Sequence, residues 1–373
     1  MRGGEKCLEI FCRLFPEADL HTLLWVEGAV SPEIERHPIR TSFLQKLPFI
    51  KSHYRYYLPL MPLAIGQMDL REYDLVLSSS HCVAKGVRTS PEALHVCYCH
   101  TPMRYVWDQF DQYFGKDNSS PLVATAMRIV APFLRRWDVR TSRGVTSYIA
   151  NSEHVRKRIQ KHYQRDSTVI HPPADTVFYQ THGEAREDFF LILSAFAPYK
   201  RVDLAVDAFN ELGYPLVVVG AGQEADSLRQ RARKNIQFKG WLSSEDVRSY
   251  LGRCRALIFP GEEDFGITPV EAQAMGTPVI AFGKGGALET VVPDPDSWKA
   301  ESGIPKPSAD QTTGVFFYEA TRDSLMASIK HFEEIESRFD PQTIRDQALK
   351  FRTEAFAERI RVFIQDQLTH HRC

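Results

Sequence analysis

The sequence predicts an α/β fold made of two doubly wound parallel-sheet domains with a cleft between them. Three observations carry that expectation. At 373 residues the chain is longer than a single core ordinarily holds. Short apolar runs alternate with helical patterns throughout the second half, as they do when parallel strands are joined by crossover helices. The loops that follow those runs hold glycines and charges, and in such sheets ligands bind beyond the carboxyl ends of the strands. Composition agrees with a soluble globular class, at 43% hydrophobic and 25% charged with no low-complexity tract.

In chain order, "GGEKCLEIFCRLFPE" is a helix, with Leu8, Phe11, Cys12 and Phe15 on one side. "HTLLWV" (21–26), "YDLVLSSS" (73–80), "ALHVCYCH" (93–100) and "TSYIANS" (146–152) are strands. "YYLPLMPLAIG" (56–66) is the most apolar irregular stretch, and Pro59 and Pro62 speak against a spanning helix there. Proline-rich "HPPADTVFY" (171–179) reads as a linker. "FFLILSAF" (189–196) begins the regular alternation. A helix over 202–212 follows, with Val202, Ala205, Val206 and Phe209 at helical spacing. "PLVVVG" (215–220), a polar helix "EADSLRQRARK" and "NIQFKG" (235–240) come next. Ser243 opens another helix, with Asp246 at capping-box spacing. "ALIFP" (256–260), "PVIAF" (278–282) and "GVFF" (314–317) complete the strands, and 351–368 is an amphipathic terminal helix. The expected domains are 1–175 and 176–345, with 346–373 packing back on the first.

A doubly wound domain starts with a strand that delivers a glycine-rich turn to the ligand. Here the turn, Gly3-Gly4, stands at the beginning of the chain. A preceding central strand between 20–26 and 74–80 is therefore expected, encoded upstream of Met1 or removed by truncation.

Net charge is −1 but unevenly spread, with ten Arg and Lys against Asp138 and Glu153 over 125–165. That region suits a solvated helix face or an anionic membrane surface; nucleic acid is not expected, because no recognition motif accompanies the charge. The seven cysteines have neither disulfide nor zinc spacing and read as buried thiols in a reducing compartment. No segment reaches the length of a membrane span. A cytoplasmic protein, peripheral on the inner face of a membrane, is the expectation.

The stretch "GEEDFGITPVEAQAMG" (261–276) carries the chemistry. Glu263 and Glu271 have seven residues between them, one in a glycine-bearing loop and one in the first turn of a short helix entered through Pro269. A helix start facing such a loop is a place where an anion meets backbone N–H groups. Lys200 and Arg201 follow the 189–196 strand on the same rim.

With "APYKRVDLAVDAF", "FKGWLSSEDV" and "YCHTPMRYVWDQF", the stretch from Glu262 to Val291 resembles the group-1, family 4 retaining glycosyltransferases of GT-B fold. The similarity is greatest to the mannosyltransferase-like branch acting in bacterial surface polysaccharide assembly. It implies transfer of a hexose from a nucleotide diphosphate sugar, GDP-mannose favoured, to a glycan or lipid-linked acceptor. By resemblance Glu271 receives the ribose hydroxyls, and Glu263 and His100 face the donor sugar. Lys200, Arg201 and the backbone N–H groups of Phe265, Gly266, Ile267 and Thr268 meet the diphosphate. Gly3 and Gly4 approach phosphate or acceptor, and Arg104 lies on the acceptor side. Neither cofactor nor metal is implied. Relatives commonly carry an arginine where Ala195 stands, so Arg201 takes over its contact or the diphosphate is held less tightly. The rival readings are a nucleotide-sugar epimerase or hydrolase of the same fold, and a non-catalytic nucleotide-sugar-binding partner.

Overall fold

The computed structural model describes residues 3–50, 54–115, 121–181, 183 and 185–371. Its contacts divide the chain into two units, Met1–Pro173 with Glu354–Cys373, and Ala174–Thr353.

In the first unit, helix α1 (Gly3–Leu14) precedes two short strands, β1 (Leu20–Thr22) and β2 (Ile39–Thr41), which pair in parallel as a sheet of their own. A second parallel sheet has the order β3 (Leu75–Ser80), β4 (Leu94–Cys99), β5 (Ser147–Ala150), β6 (Thr168–Val169). Leu20–Thr22 and Leu75–Ser80 thus belong to different sheets. The strand expected over 21–26 is shorter than its apolar pattern. Beyond Thr22, the Trp25 N–H donates to Gln45 Oε1 (2.8 Å) and Gln45 Nε2 donates to Trp25 O (2.9 Å), so side-chain bonds replace a ladder.

Strand β4 is buried at every position because both its faces are covered. Leu94, Val96 and Tyr98 pack on Cys7, Ile10 and Phe11 of α1 and on Phe356, Ile360 and Ile364 of the terminal helix Thr353–His371. Cys97 and Cys99 turn the other way, toward Val155 and Ile159. Between β4 and β5 runs the long helix α2 (Pro121–Ser142). The next helix, α3 (Glu153–Tyr163), is started by Ser152, whose Oγ accepts from the Val155 N–H at 3.0 Å. The 56–66 stretch forms short helical turns, Tyr54–Leu60 and Met61–Gly66, in place of an irregular loop. Among the described residues six cysteines are free and buried, and no helix is long and apolar enough to cross a membrane.

The second unit is a six-stranded sheet, all parallel, built from β7 (Phe190–Leu193), β8 (Leu216–Val219), β9 (Ile236–Gly240), β10 (Leu257–Phe259), β11 (Val279–Phe282) and β12 (Gly314–Phe317). The strand order is β12-β11-β10-β7-β8-β9. The chain winds outward from β7 to β9, then crosses back to lay β10 on the other side of β7. Alternate residues feed two apolar layers: Phe190, Ile192, Val218, Ile258, Ile280 and Val315 on one face, Leu191, Val217, Leu257, Val279 and Phe316 on the other. Helix α4 (Val202–Leu212) covers the first face through Val202, Ala205, Val206 and Phe209, the residues whose spacing predicts it. Ser243 Oγ accepts from the Asp246 N–H at 3.1 Å, the expected start of helix α5 (Ser244–Arg253).

Candidate active site

The winding reverses between β7 and β10, and the loops leaving a reversal point diverge to make a ligand-binding edge. Lys200 comes from the loop after β7 and Glu263 from the loop after β10, and the structure joins them as an ion pair with both side chains largely buried. Gly261 makes that approach feasible. A Cβ on it would stand 2.7 Å from Tyr199 O and 2.8 Å from Lys200 Cα, so the two loops touch backbone to backbone. Lys200 Nζ also lies 5.2 Å from the centre of the Tyr199 ring, which favours the cation. Arg201, at φ 53°, gives its guanidinium to Asp203 (Nε to Oδ1, 3.1 Å).

The loop from Gly261 ends at helix α6 (Ile267–Ala274), which starts before Pro269 rather than at it. Gly266 at φ 83° turns the chain into the helix, a conformation that favours glycine, and no side chain caps the start. Pro269 then occupies the third helical position, where its missing N–H still removes no intrahelical bond. The ring of Phe265 is buried against Phe351, so the backbone of Phe265, not its ring, borders the loop. Ile267 and Thr268 are half-buried, and Glu271 is buried within α6. Burial, with the Glu271 charge next in size, pushes the Tyr179 hydroxyl well above its ordinary range.

The loop after β11 closes on this one, and the loop after β8 closes on the loop after β7. The Gly286 N–H donates to Glu263 O at 2.8 Å, and a Cβ on Gly286 would fall 2.2 Å from Phe265 Cα. A Cβ on Gly222, after β8, would fall 2.4 Å from Phe196 O. Gly222, Gly261 and Gly286 are candidate site residues, by their packing, that sequence reasoning missed. Their signal was present in "GAGQEAD", "GEEDFG" and "GKGGALE", but which backbone each glycine touches depends on strand order.

Sequence reasoning also passed over Asp294-Pro295-Asp296, an Asp-x-Asp spacing. Asp294 is buried, its Oδ2 accepting from the Asp296 N–H (3.0 Å) and bonded to His331 Nε2 (3.0 Å), so it holds a turn. No group of three or more metal-ligating side chains is assembled among the described residues.

In the first unit, His100 follows β4 and its Nε2 is hydrogen-bonded to Ser79 Oγ at the end of β3 (2.8 Å). Tyr98 meets the ring edge-on at 5.1 Å. A methyl on Gly4, at the start of α1, would stand 3.7 Å from His100 Nε2, whereas Gly3 faces open space. Burial, helped by the charges of His81 and Arg104, holds the His100 imidazole neutral and lowers its pKa to about 3. Arg104 is thus close enough to be felt at the ring. His95, bonded through Nε2 to Ser78 Oγ at 2.9 Å, is lowered by burial to about 4.

Both histidines have folded pKa values below the value near 6.5 of an unfolded chain. Their stabilisation is complete above pH 6.5 and is lost as pH falls, since the unfolded state then binds the extra protons. Each adds a slope of up to about 1.4 kcal/mol per pH unit below that point. Thermal unfolding between pH 7 and pH 4 should show this fall, and His95→Gln should flatten it. An unchanged slope in that variant would contradict the assignment.

The family model described as glycosyl transferases group 1 matches residues 178–338, and the model described as Glycosyltransferase Family 4 matches residues 1–178. The chain is a family 4, group-1 glycosyltransferase of GT-B fold. An uncharacterised glycosyltransferase of Methanocaldococcus jannaschii is 26% identical over 49% of this glycosyltransferase and 53% of its own length. The O-antigen chain mannosyltransferase C of Escherichia coli is 32% identical over 36% of this chain and 39% of its own. The matches therefore span about half or less of these curated relatives. Anabaena HepE, solved in complex with UDP, superimposes with a TM-score of 0.67 over 98% of this glycosyltransferase and 96% of that chain. At 17% identity that likeness concerns the fold.

Proposed function

We propose that the protein transfers a hexose, mannose favoured, from a nucleotide diphosphate sugar to a glycan or lipid-linked acceptor in surface polysaccharide assembly. The reading further holds that the anomeric configuration is retained and that no metal takes part. The observation that carries it is the Lys200–Glu263 pair beside the uncapped start of α6, at the reversal point of the second sheet. As the bond from the anomeric carbon to the diphosphate breaks, its electron pair leaves with the phosphate oxygen. Lys200 and the N–H groups from Phe265 to Thr268 offer fixed positive charge and dipoles to that oxygen. Glu263, an acceptor of hydrogen bonds, suits the hydroxyls of the departing sugar, and Glu271 those of the ribose. Arg201 adds to the phosphate contacts in competition with Asp203. His100, Gly3, Gly4 and Arg104 take their roles from the family resemblance.

The E. coli relative is named a mannosyltransferase, which supports mannose; the UDP complex of HepE leaves a uracil donor as the second candidate. Nucleoside diphosphate release from GDP-mannose, measured with lipid-linked glycan acceptors, should continue in EDTA, because the reading assigns to protein cations and N–H groups the charge that a metal would supply. Loss of transfer in EDTA, restored by one divalent metal, would overturn the metal-free reading. Isomerised or hydrolysed donor formed equally well without acceptor would favour the epimerase or hydrolase.

A further inference from the structure

We propose that Ser79 is a positioning residue for His100, holding the neutral ring with Nε2 bare and Nδ1–H free to donate to a hydroxyl of the donor sugar. The ligand in that statement rests on the transferase reading; the tautomer does not.

Two serine–histidine pairs span β3 and β4, one on each face of the sheet. Ser78 Oγ lies 2.9 Å from His95 Nε2, and Ser79 Oγ lies 2.8 Å from His100 Nε2. Side chains alternate along both strands, so the two successive serines serve opposite faces. His95 is buried, and the backbone of Gly144 takes a second bond from its ring. That pair is closed. Its Nε2 accepts from a hydroxyl while the other nitrogen donates to a carbonyl, so both are used inside the fold.

His100 keeps the first half of this arrangement and lacks the second. Among the described residues Ser79 is the only side-chain partner of the ring, and Nδ1 has none. The residue is half-buried, and Nδ1 is not one of the sealed polar atoms that lack a partner. The ring itself is held in place. The His100 backbone N–H donates to Ser80 O at 2.8 Å, and Tyr98 meets the imidazole edge-on.

Three features put the proton on Nδ1. Ser79 Oγ makes no other hydrogen bond among the described residues, so its own proton finds a protein acceptor only when Nε2 is bare. The start of α1 lies beside the same nitrogen, since a methyl on Gly4 would stand 3.7 Å from Nε2. The first N–H groups of a helix lack intrahelical acceptors and carry its positive end, which favours a lone pair over an N–H. Burial, with the charges of His81 and Arg104, keeps the ring neutral, so one nitrogen alone carries a proton.

The tautomer decides what the ring can do. A neutral Nδ1–H is a hydrogen-bond donor suited to an uncharged oxygen such as a sugar hydroxyl. It takes no proton from an acceptor, because the nitrogen able to receive one is tied to Ser79. His100 on this account orients the sugar and is not a general base.

The test is nitrogen NMR of the full chain labelled in histidine, with His100 assigned by comparison with His100→Gln. At pH 7, without donor or acceptor, the ring should show a bare Nε2 and a protonated Nδ1. In Ser79→Ala the proton should be shared between the two nitrogens. That variant should bind nucleoside diphosphate as wild type does yet lose about tenfold in sugar transfer, and Ser79→Thr should stay within about threefold of wild type. A protonated Nε2 in wild type would overturn the proposal, whatever the chain transfers. So would a Ser79→Ala protein with unchanged tautomer and rate, or a Ser79→Thr protein as impaired as Ser79→Ala. A wild type with Nδ1–H in place that transfers no sugar from any nucleotide sugar would uphold the hold of Ser79 on the ring and defeat the transferase reading alone.

Discussion

Glu263→Gln is expected to lower the turnover of sugar transfer by about a hundredfold with little change in donor KM, whereas Glu271→Ala raises donor KM by about tenfold with little change in turnover. The difference follows from where each carboxylate sits. Glu263 is paired with Lys200 at the reversal point, where the proposed reaction develops charge as the glycosidic bond breaks, so on that proposal its contribution grows toward the transition state. Glu271 is buried one turn inside α6, and a ribose bonded there is held alike before and during reaction. Steady-state release of nucleoside diphosphate, with kcat and KM separated, checks both. Activity within about threefold of wild type in both variants would remove the motif from the reaction.

Gly286→Ala is expected to destabilise the second unit by about 1–3 kcal/mol and to weaken donor binding by at least about tenfold. Gly286 has φ −66°, which any residue adopts, so the cost is steric alone. The new Cβ would fall 2.2 Å from Phe265 Cα and 2.4 Å from Phe265 O. Both are backbone atoms, so no rotamer change relieves the overlap, and the 263–266 loop has to move. That loop holds Glu263 and leads into the helix start, which couples the packing fault to the ligand. Gly66→Ala is the control, since nothing lies within 4 Å of its added methyl. Thermal unfolding of both variants, with and without nucleoside diphosphate, separates the two effects; a Gly286→Ala protein matching the control would contradict the packing account.

The second unit was legible because its periodicity is undisturbed. Helix 202–212 and strand 314–317 fall where their patterns place them, and the other strands are shorter only at their ends. In the first unit the apolar run 21–26 misled, since Gln45, twenty residues away in the chain, takes the hydrogen bonds of Trp25. Glu263 and Lys200 could be singled out from local spacing and rim position. Their pairing could not, because it depends on β7 and β10 becoming neighbours after two strands have intervened. The start of α6 at Ile267 was hidden for a related reason: proline marks a first turn but not its position within it, and the left-handed φ of Gly266 decides the boundary. Likewise Ser79 as the partner of His100 needed the β3–β4 register, which aligns Ser80 with Cys99.

The most direct test of the central claim, that the edge between β7 and β10 holds the donor's nucleoside diphosphate, is calorimetric titration of the full chain. GDP, UDP, ADP and dTDP would be titrated into wild type, Glu271→Ala and Gly286→Ala. The account predicts that one of the four binds wild type preferentially in EDTA, and that both variants bind it at least about tenfold more weakly, a loss of about 1.4 kcal/mol or more. No binding by any of the four, or equal binding by wild type and both variants, would contradict it.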